Sequence, residues 1–105
     1  MSRSPTTTNP DWLHNTHAGE MLASEFMEPL GLDAEQLASA LGLPVDRVAA
    51  VVSGTRAMDA ELDLRLGRYF RISEGFFMRL QVQHDILEAK RALNGELERI
   101  LPRAA

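Results

Sequence analysis

The chain has 105 residues, a formal net charge of −4 and no cysteine. This length allows one domain with a small core, and the lack of cysteine excludes a disulfide framework, a thiolate metal site and catalytic cysteine chemistry. No apolar run approaches the roughly 18 residues of a membrane span, and the first residues lack the apolar stretch of a secretory signal, so we expect a cytoplasmic protein without membrane contact.

Residues 1–16 are rich in Ser, Thr, Pro and Asn, and this composition predicts a flexible N-terminal tail. Trp12 could anchor part of the tail to the body of the protein. A first helix is predicted from about Gly19 to Glu28, with Phe26 and Leu30 facing inward at helical spacing.

The next stretch, from Leu32 to Arg56, is typical of two short helices joined by a tight turn. Asp33 is placed to cap the first helix, and Pro44 suits the start of the second because its missing N–H is an orphan there. Gly42 can take the positive φ that a sharp reversal needs, and Gly54 ends the second helix. This layout indicates a helix-turn-helix, whose second helix normally enters the DNA major groove. An ordinary αα-hairpin is the alternative.

Exposed positions on that second helix are expected to read DNA. Arg47 can bind guanine O6 and N7 in a bidentate fashion, whereas Val45 and Ala49 can only touch a thymine methyl. Asp46 could accept from cytosine N4 or orient Arg47, and a surface ion pair of Arg47 with Glu35 or Asp46 is the alternative. The complete set of predicted DNA contacts is Gln36, Val45, Asp46, Arg47, Ala49, Ala50, Ser53, Thr55 and Arg56.

Two more helices are predicted downstream, one from Asp59 to Phe70 and a fifth with Ser73 as its N-cap. Five helices without an alternating strand pattern predict an all-α domain. From Val82 to Ile100 apolar residues recur in steps of three and four, interrupted at Asn94-Gly95. This stripe either folds back on its own domain or forms a dimer contact, which two-fold related DNA half-sites would favour. The expected dimer residues are Phe77, Leu80, Val82, Ile86, Leu87 and Leu93.

Charge is unevenly distributed, because residues 1–32 hold four acids and one base whereas residues 57–105 hold eight of each. DNA-binding domains usually show clustered Lys and Arg. One copy of this chain should therefore bind DNA weakly, with Arg56 as a phosphate clamp.

No nucleophile–base constellation or phosphate loop is present, and His14 and His17 lack a third metal ligand. We therefore predict no enzyme activity, no metal and no cofactor.

Several motifs occur together in one register over most of the chain. They are His17-Ala18-Gly19-Glu20, EPLGL at residues 28–32, Gly54-Thr55-Arg56, RLGRYF at residues 65–70 and FFMRLQ at residues 76–81. In combination they resemble the HigA family of antitoxins, within the Xre/Cro class of helix-turn-helix proteins. The resemblance implies a five-helix Xre/Cro-type (lambda repressor-like) DNA-binding domain at residues 17–82 and a C-terminal helical extension at residues 83–105.

The resemblance also implies a homodimer that binds double-stranded operator DNA, represses its own operon and neutralises a RelE-like mRNA endonuclease. Because such a toxin needs a basic surface to hold RNA, the acidic N-terminal region is its expected docking site. The expected toxin contacts are Glu20, Glu25 and Glu28. One alternative is a stand-alone Xre-type transcriptional regulator without a toxin. Another is a protein-interaction module that has lost DNA binding, which the acidic balance and Ala34 would allow.

Overall fold

Five helices make up most of the computed structural model, which describes residues 15–104, and they confirm the predicted all-α fold. Helix α1 starts as an α-helix at Ala18–Met21, continues as a π-helix over Leu22–Met27 and ends as a 3-10 turn at Glu28–Leu30. The others are α2 (Ala34–Leu41), α3 (Val45–Ser53), α4 (Ala60–Phe70) and α5 (Phe76–Ala92), followed by a 3-10 turn at Leu97–Arg99. Trp12, His14 and most of the predicted tail lie outside the described residues.

The core lies where α1 to α4 meet the first turns of α5. Its largest fully buried side chains are Phe77, Leu22, Leu37, Leu62, Leu66, Val48 and Val51. Each helix contributes apolar residues at a spacing of three or four, which is how an amphipathic helix presents one face to a core. Phe26 packs against this core as predicted. Leu30 does not, because it lies in the closing 3-10 turn of α1 and is 63% exposed.

Pro29 accounts for the irregular shape of α1. In a regular α-helix its ring would collide with the carbonyl of Glu25, four residues earlier, and it has no N–H to donate. The helix widens before the proline instead, so that the N–H of Glu28 donates to the carbonyl of Ala23, five residues back. Such a π turn changes the angle between successive side chains. The rule that residues three apart are neighbours on one face of an α-helix therefore does not apply to Glu25 and Glu28.

The helix-turn-helix forms from local signals, as predicted. The N–H of Gln36 donates to the Asp33 carboxylate at 2.8 Å, and the Gln36 side chain accepts from the Asp33 N–H at 2.9 Å, which completes a capping box at the start of α2. Gly42 ends α2 with φ +73°, and Gly54 ends α3 with φ +86°. Both glycines occupy the left-handed region that side chains with a Cβ avoid.

Helix α1 packs directly on the backbone of α3, and the His-Ala-Gly-Glu motif makes this possible. His17 Nδ1 accepts from the N–H groups of Gly19 and Glu20 at 3.0 and 3.2 Å, so the ring caps α1. A Cβ on Gly19 would overlap the carbonyl oxygen of Val51. The same imidazole lies against Gly54, where a Cβ would come within 2.9 Å of Nε2.

The N-terminus of α5 is capped by Asp63 of α4, so the prediction of Ser73 as its N-cap is wrong. The buried Asp63 carboxylate accepts from the N–H groups of Gly75 at 2.6 Å, Phe77 at 2.8 Å and Met78 at 3.2 Å. Gly75 occupies the N-cap position itself, with φ +91°. Three of the four orphan donors that open a helix are thus in reach of one charge that lies on another helix.

Helix α5 continues without a break through the boundary predicted after residue 82, and its outer half leaves the core. Asn15 is buried against this half: its side-chain amide donates to the His84 carbonyl at 3.0 Å and to the Glu88 carboxylate at 2.8 Å. The His84 ring donates back to the Asn15 carbonyl at 2.9 Å. The last residues of the predicted tail are therefore held on α5. Within residues 15–104 no helix has the length and apolarity to cross a bilayer.

Candidate nucleic-acid interface

One face of α3 is open to solvent and carries four of the predicted DNA contacts. Val45, Asp46, Ala49 and Ser53 are all exposed. At about 100° of rotation per residue they fall within an arc of roughly 100°. The opposite side of α3 carries the buried Val48 and Val51. The helix is therefore held by the core on one side and free to enter a groove on the other.

Arg47 is not on this face, and the prediction that it is exposed is wrong. Its side chain is only 18% exposed, and its terminal nitrogen lies 2.9 Å from an Asp59 oxygen and 3.2 Å from Glu61. The alternative prediction, that Arg47 forms an ion pair, is confirmed. Its partners, however, are carboxylates at the start of α4 and not Glu35 or Asp46. The reason is tertiary, because packing brings the start of α4 beside α3.

Arg47, Asp59 and Glu61 form a cluster of opposite charges that shift one another's pKa values. Burial acts to raise the pKa of Asp59, but hydrogen bonds from the Leu62 N–H and from Arg47 outweigh it and hold that pKa below its ordinary value. Hydrogen bonds from Arg47 and then Arg65 lower the pKa of Glu61. The bond to Asp59 in turn raises the pKa of Arg47. Since folding lowers both carboxyl pKa values, the cluster stabilises the fold at neutral pH and loses that effect as pH falls through them.

Hydroxyl groups at the end of α3 point back to its own backbone. Ser53 Oγ and Thr55 Oγ1 both donate to the Ala50 carbonyl, at 3.1 and 3.2 Å, and lie 3.1 Å from each other. Arg56 follows with its side chain 53% exposed, 3.8 Å from Asp59. Gln36 is exposed at the start of α2, and its side-chain amide oxygen accepts from the Asp33 N–H in the capping box. Ala50 itself is half-buried at the margin of the face.

The predicted dimer residues divide into two groups. Phe77 is fully buried in the core of its own chain, so its assignment to a dimer contact is wrong. Leu80 and Leu87 are half-buried. Val82, Ile86 and Leu93 are 49%, 50% and 37% exposed and lie on the outer half of α5 and its end. At about 100° per residue the exposed group lies on the side of α5 opposite to the buried and half-buried group, so the predicted dimer residues belong to two different faces of the helix.

The predicted toxin contacts also divide. Glu20 is half-buried and accepts from the His17 N–H at 3.1 Å, which commits it to the cap of α1. Glu25 and Glu28 are exposed on the π and 3-10 parts of that helix. Among residues 15–104 no group of three or more metal-binding side chains is placed to hold an ion. The sequence did not predict that Asp59 and Glu61 would pair with Arg47, or that Asp63 would cap α5, because these partners lie 12 to 15 residues apart along the chain.

Together, α2, the turn at Gly42 and the open face of α3 define a helix-turn-helix protein of the Xre class. A Pseudomonas aeruginosa protein solved in complex with its operator DNA is 34% identical, with a TM-score of 0.81 over 86% of this chain and 96% of that one. An addiction module antidote protein of the HigA family from Coxiella burnetii is 32% identical, with a TM-score of 0.78 over 85% and 97%. The antitoxin HigA of Pseudomonas aeruginosa, solved with the higBA promoter, is 31% identical, with a TM-score of 0.78 over 86% and 98%.

The chain belongs to the HigA family of helix-turn-helix antitoxins. This membership confirms the predicted family and the prediction that the protein is not an enzyme. No protein-family model matches the chain.

Proposed function

We propose that this protein is a cytoplasmic antitoxin that binds the operator DNA of its own operon as a dimer and represses transcription. The proposal of DNA binding rests on the solvent-facing side of α3. The opposite side of this helix is anchored in the core by Val48 and Val51, and Arg56 follows the helix with its side chain exposed. Two solved structures from Pseudomonas aeruginosa, similar to this chain, contain operator or promoter DNA, which supports the same role here. An α-helix of this kind fits the major groove.

The proposed DNA contacts fall into two roles. Gln36 at the start of α2 and Thr55 and Arg56 after α3 flank the recognition helix, where phosphate contacts position a protein on the duplex. Residues on the open face of α3 approach the base edges. These are Val45, Asp46, Ala49 and Ser53, with Ala50 at the margin.

Replacement of Arg56 by alanine tests the phosphate role. We expect Arg56→Ala to weaken binding to specific and non-specific DNA about equally. The slope of log K against log salt should fall by about 0.9 for each protomer, and so by about 1.8 for a bound dimer. Fold stability should change little, because an exposed ion pair such as that with Asp59 is worth about 0–1 kcal/mol. Mobility-shift titrations over several salt concentrations measure both quantities. Arg79→Ala, which removes an exposed arginine on α5, is the control and should leave the slope unchanged.

DNA binding itself is tested in the same titrations. Phosphate contacts are least screened at low ionic strength, so binding to the gene's own promoter is expected to be strongest at about 50 mM salt. A purified protein that does not shift this promoter under those conditions would exclude the proposed function and would favour a protein-interaction module.

Dimerisation is proposed through the outer half of α5 and the segment after it. The exposed apolar residues here are Val82, Ile86, Leu93, Leu97, Ile100 and Leu101. Contiguous exposed apolar surface usually marks an interface, and a two-fold contact would use the same patch on both copies. Residues 57–105 carry equal numbers of acidic and basic residues, so they add no net positive charge for DNA. Two linked reading helices would supply affinity that one copy lacks.

Toxin neutralisation is proposed through the acidic N-terminal region. Residues 1–32 carry four acids and one base, and Glu25 and Glu28 are exposed on α1. A RelE-like ribonuclease requires a basic surface for RNA phosphates, and complementary charge would steer the two proteins together. Because α1 packs behind α3, the DNA-reading face would stay free in the complex. A neighbouring gene for a small basic protein would distinguish this role from a stand-alone regulator.

Charge reversal tests the docking site. We expect Glu25→Lys with Glu28→Lys to slow association with the toxin by at least tenfold, since mutating rim charges mainly changes the association rate. Cells that express the toxin together with this variant should stop growing, because the toxin is no longer neutralised. Glu35→Lys with Glu74→Lys changes net charge equally and is the matched control in a DNA-free assay. Unchanged association of the α1 double variant would place the docking site elsewhere.

A further inference from the structure

The open face of α3 offers no free hydrogen-bond donor from its side chains. Val45 and Ala49 present only methyl groups, and the Asp46 carboxylate can only accept. The remaining member, Ser53, directs its hydroxyl proton to the Ala50 carbonyl at 3.1 Å. This is an unusual chemistry for a DNA-reading face, because arginine and asparagine donors make the commonest specific contacts to purines.

Arg47, the donor-rich residue of α3, points away from this face. At about 100° per residue it lies roughly 145° around the helix from the centre of the exposed arc. Its terminal nitrogen bonds both Asp59 oxygens, at 2.9 and 3.1 Å, and Glu61 at 3.2 Å. Its Nε is buried without a hydrogen-bond partner.

The partners of Arg47 are themselves fixed. Asp59 accepts from the Leu62 N–H at 2.8 Å and so caps α4 while it holds the guanidinium. Glu61 also bonds Arg65 at 3.0 Å. To reach a base, Arg47 would have to break its bonds to Asp59 and Glu61, two carboxylates that are held in place at the start of α4. It is therefore suited to hold α3 against α4.

Major-groove chemistry then limits what α3 can recognise. Guanine presents two acceptors, N7 and O6, which a face without donors cannot bond. Thymine presents its C5-methyl group, and cytosine and adenine present amino donors that a carboxylate can accept. We infer that α3 selects its operator through thymine methyl groups contacted by Val45 and Ala49, beside an amino group bonded by Asp46, with Arg47 as a positioning residue. This inference rests on the proposed binding of DNA through α3.

Replacing each operator thymine in turn by deoxyuridine removes single C5-methyl groups and tests the inference. With the wild-type protein on its own promoter, we expect about fourfold weaker binding at each contacted thymine, from the value of about 0.8 kcal/mol per buried methyl-sized group. Val45→Ala should abolish this sensitivity at one thymine of each half-site and leave it at the others. Leu64→Ala removes apolar surface of similar exposure on α4 and should keep the complete pattern.

Substitution of guanine by 7-deazaguanine, which lacks the N7 acceptor, tests Arg47. Wild type should tolerate it at every guanine of the half-site, and Arg47→Lys should lower affinity alike for all sequences. Promoter binding that ignores every deoxyuridine would overturn the inference while leaving the proposed function intact. So would a 7-deazaguanine effect that disappears in Arg47→Lys. Absence of any promoter binding would instead overturn the proposed function and the inference with it.

Discussion

Replacement of Asp63 by alanine is expected to lower the free energy of unfolding by about 3 kcal/mol, from the usual value of hydrogen bonds to a charged group. This is a large fraction of the stability of a small domain. The carboxylate is 3% exposed and accepts three N–H groups at the start of α5. Alanine would leave these donors without this partner, and the N–H of Phe77 among them is buried. Urea denaturation followed by circular dichroism measures the change.

Two variants make the Asp63 prediction specific. Asp63→Asn keeps the shape and one acceptor oxygen but places an amide among donors, so its effect should be intermediate. Asp46→Ala removes an exposed carboxylate of α3 and should change stability by no more than about 0.5 kcal/mol. Equal stability of Asp63→Ala and Asp46→Ala would show that α5 does not depend on this cap.

Ile86→Asp is expected to convert the proposed dimer into a monomer and to weaken operator binding by at least about 100-fold, because linking two sites contributes roughly 10² to 10⁴ in affinity. Ile86 is 50% exposed on the outer half of α5, and a carboxylate there would be buried twice in a two-fold contact without a partner. Light scattering at tens of micromolar protein, together with mobility shifts on the same samples, measures both effects.

The control for this prediction introduces the same charge elsewhere. Leu64 is 49% exposed on α4, and Leu64→Asp should leave the oligomeric state unchanged. Thermal unfolding monitored by circular dichroism should show that both variants keep the fold, since neither position is in the core. A wild-type protein that is a monomer under these conditions would remove the basis of the dimer proposal.

Helix α4 connects the two functional surfaces. Asp59 and Glu61 at its start hold Arg47 of α3, and Asp63 at the end of its first turn holds the beginning of α5. The reading helix and the proposed dimer helix are thus fixed to one element. In a dimer this would set the distance between the two reading helices, which must match the spacing of DNA half-sites.

The sequence by itself determined the elements whose causes lie within one helical turn. Asp33 and Gln36 are three residues apart, so their capping box follows from local order. Gly42 and Gly54 end helices because only glycine enters the left-handed region without strain. The periodicity of Leu37 and Val48 identified the buried faces of α2 and α3. These effects are short-ranged, and the helix-turn-helix could therefore be predicted together with its family.

Tertiary structure alone decided which side chains meet across helices. The sequence predicted that Arg47 contacts DNA bases. Its actual partners, Asp59 and Glu61, lie 12 and 14 residues further along the chain, and no residue within one turn of Arg47 indicates this pairing. Phe77 and Ile86 were both predicted to be dimer contacts, yet they lie nine residues apart and so on opposite sides of α5, and one is fully buried whereas the other is half-exposed. Burial depends on where neighbouring helices end in space. Periodicity specifies which face of a helix is apolar, and only packing decides whether that face meets its own core or remains open to another molecule.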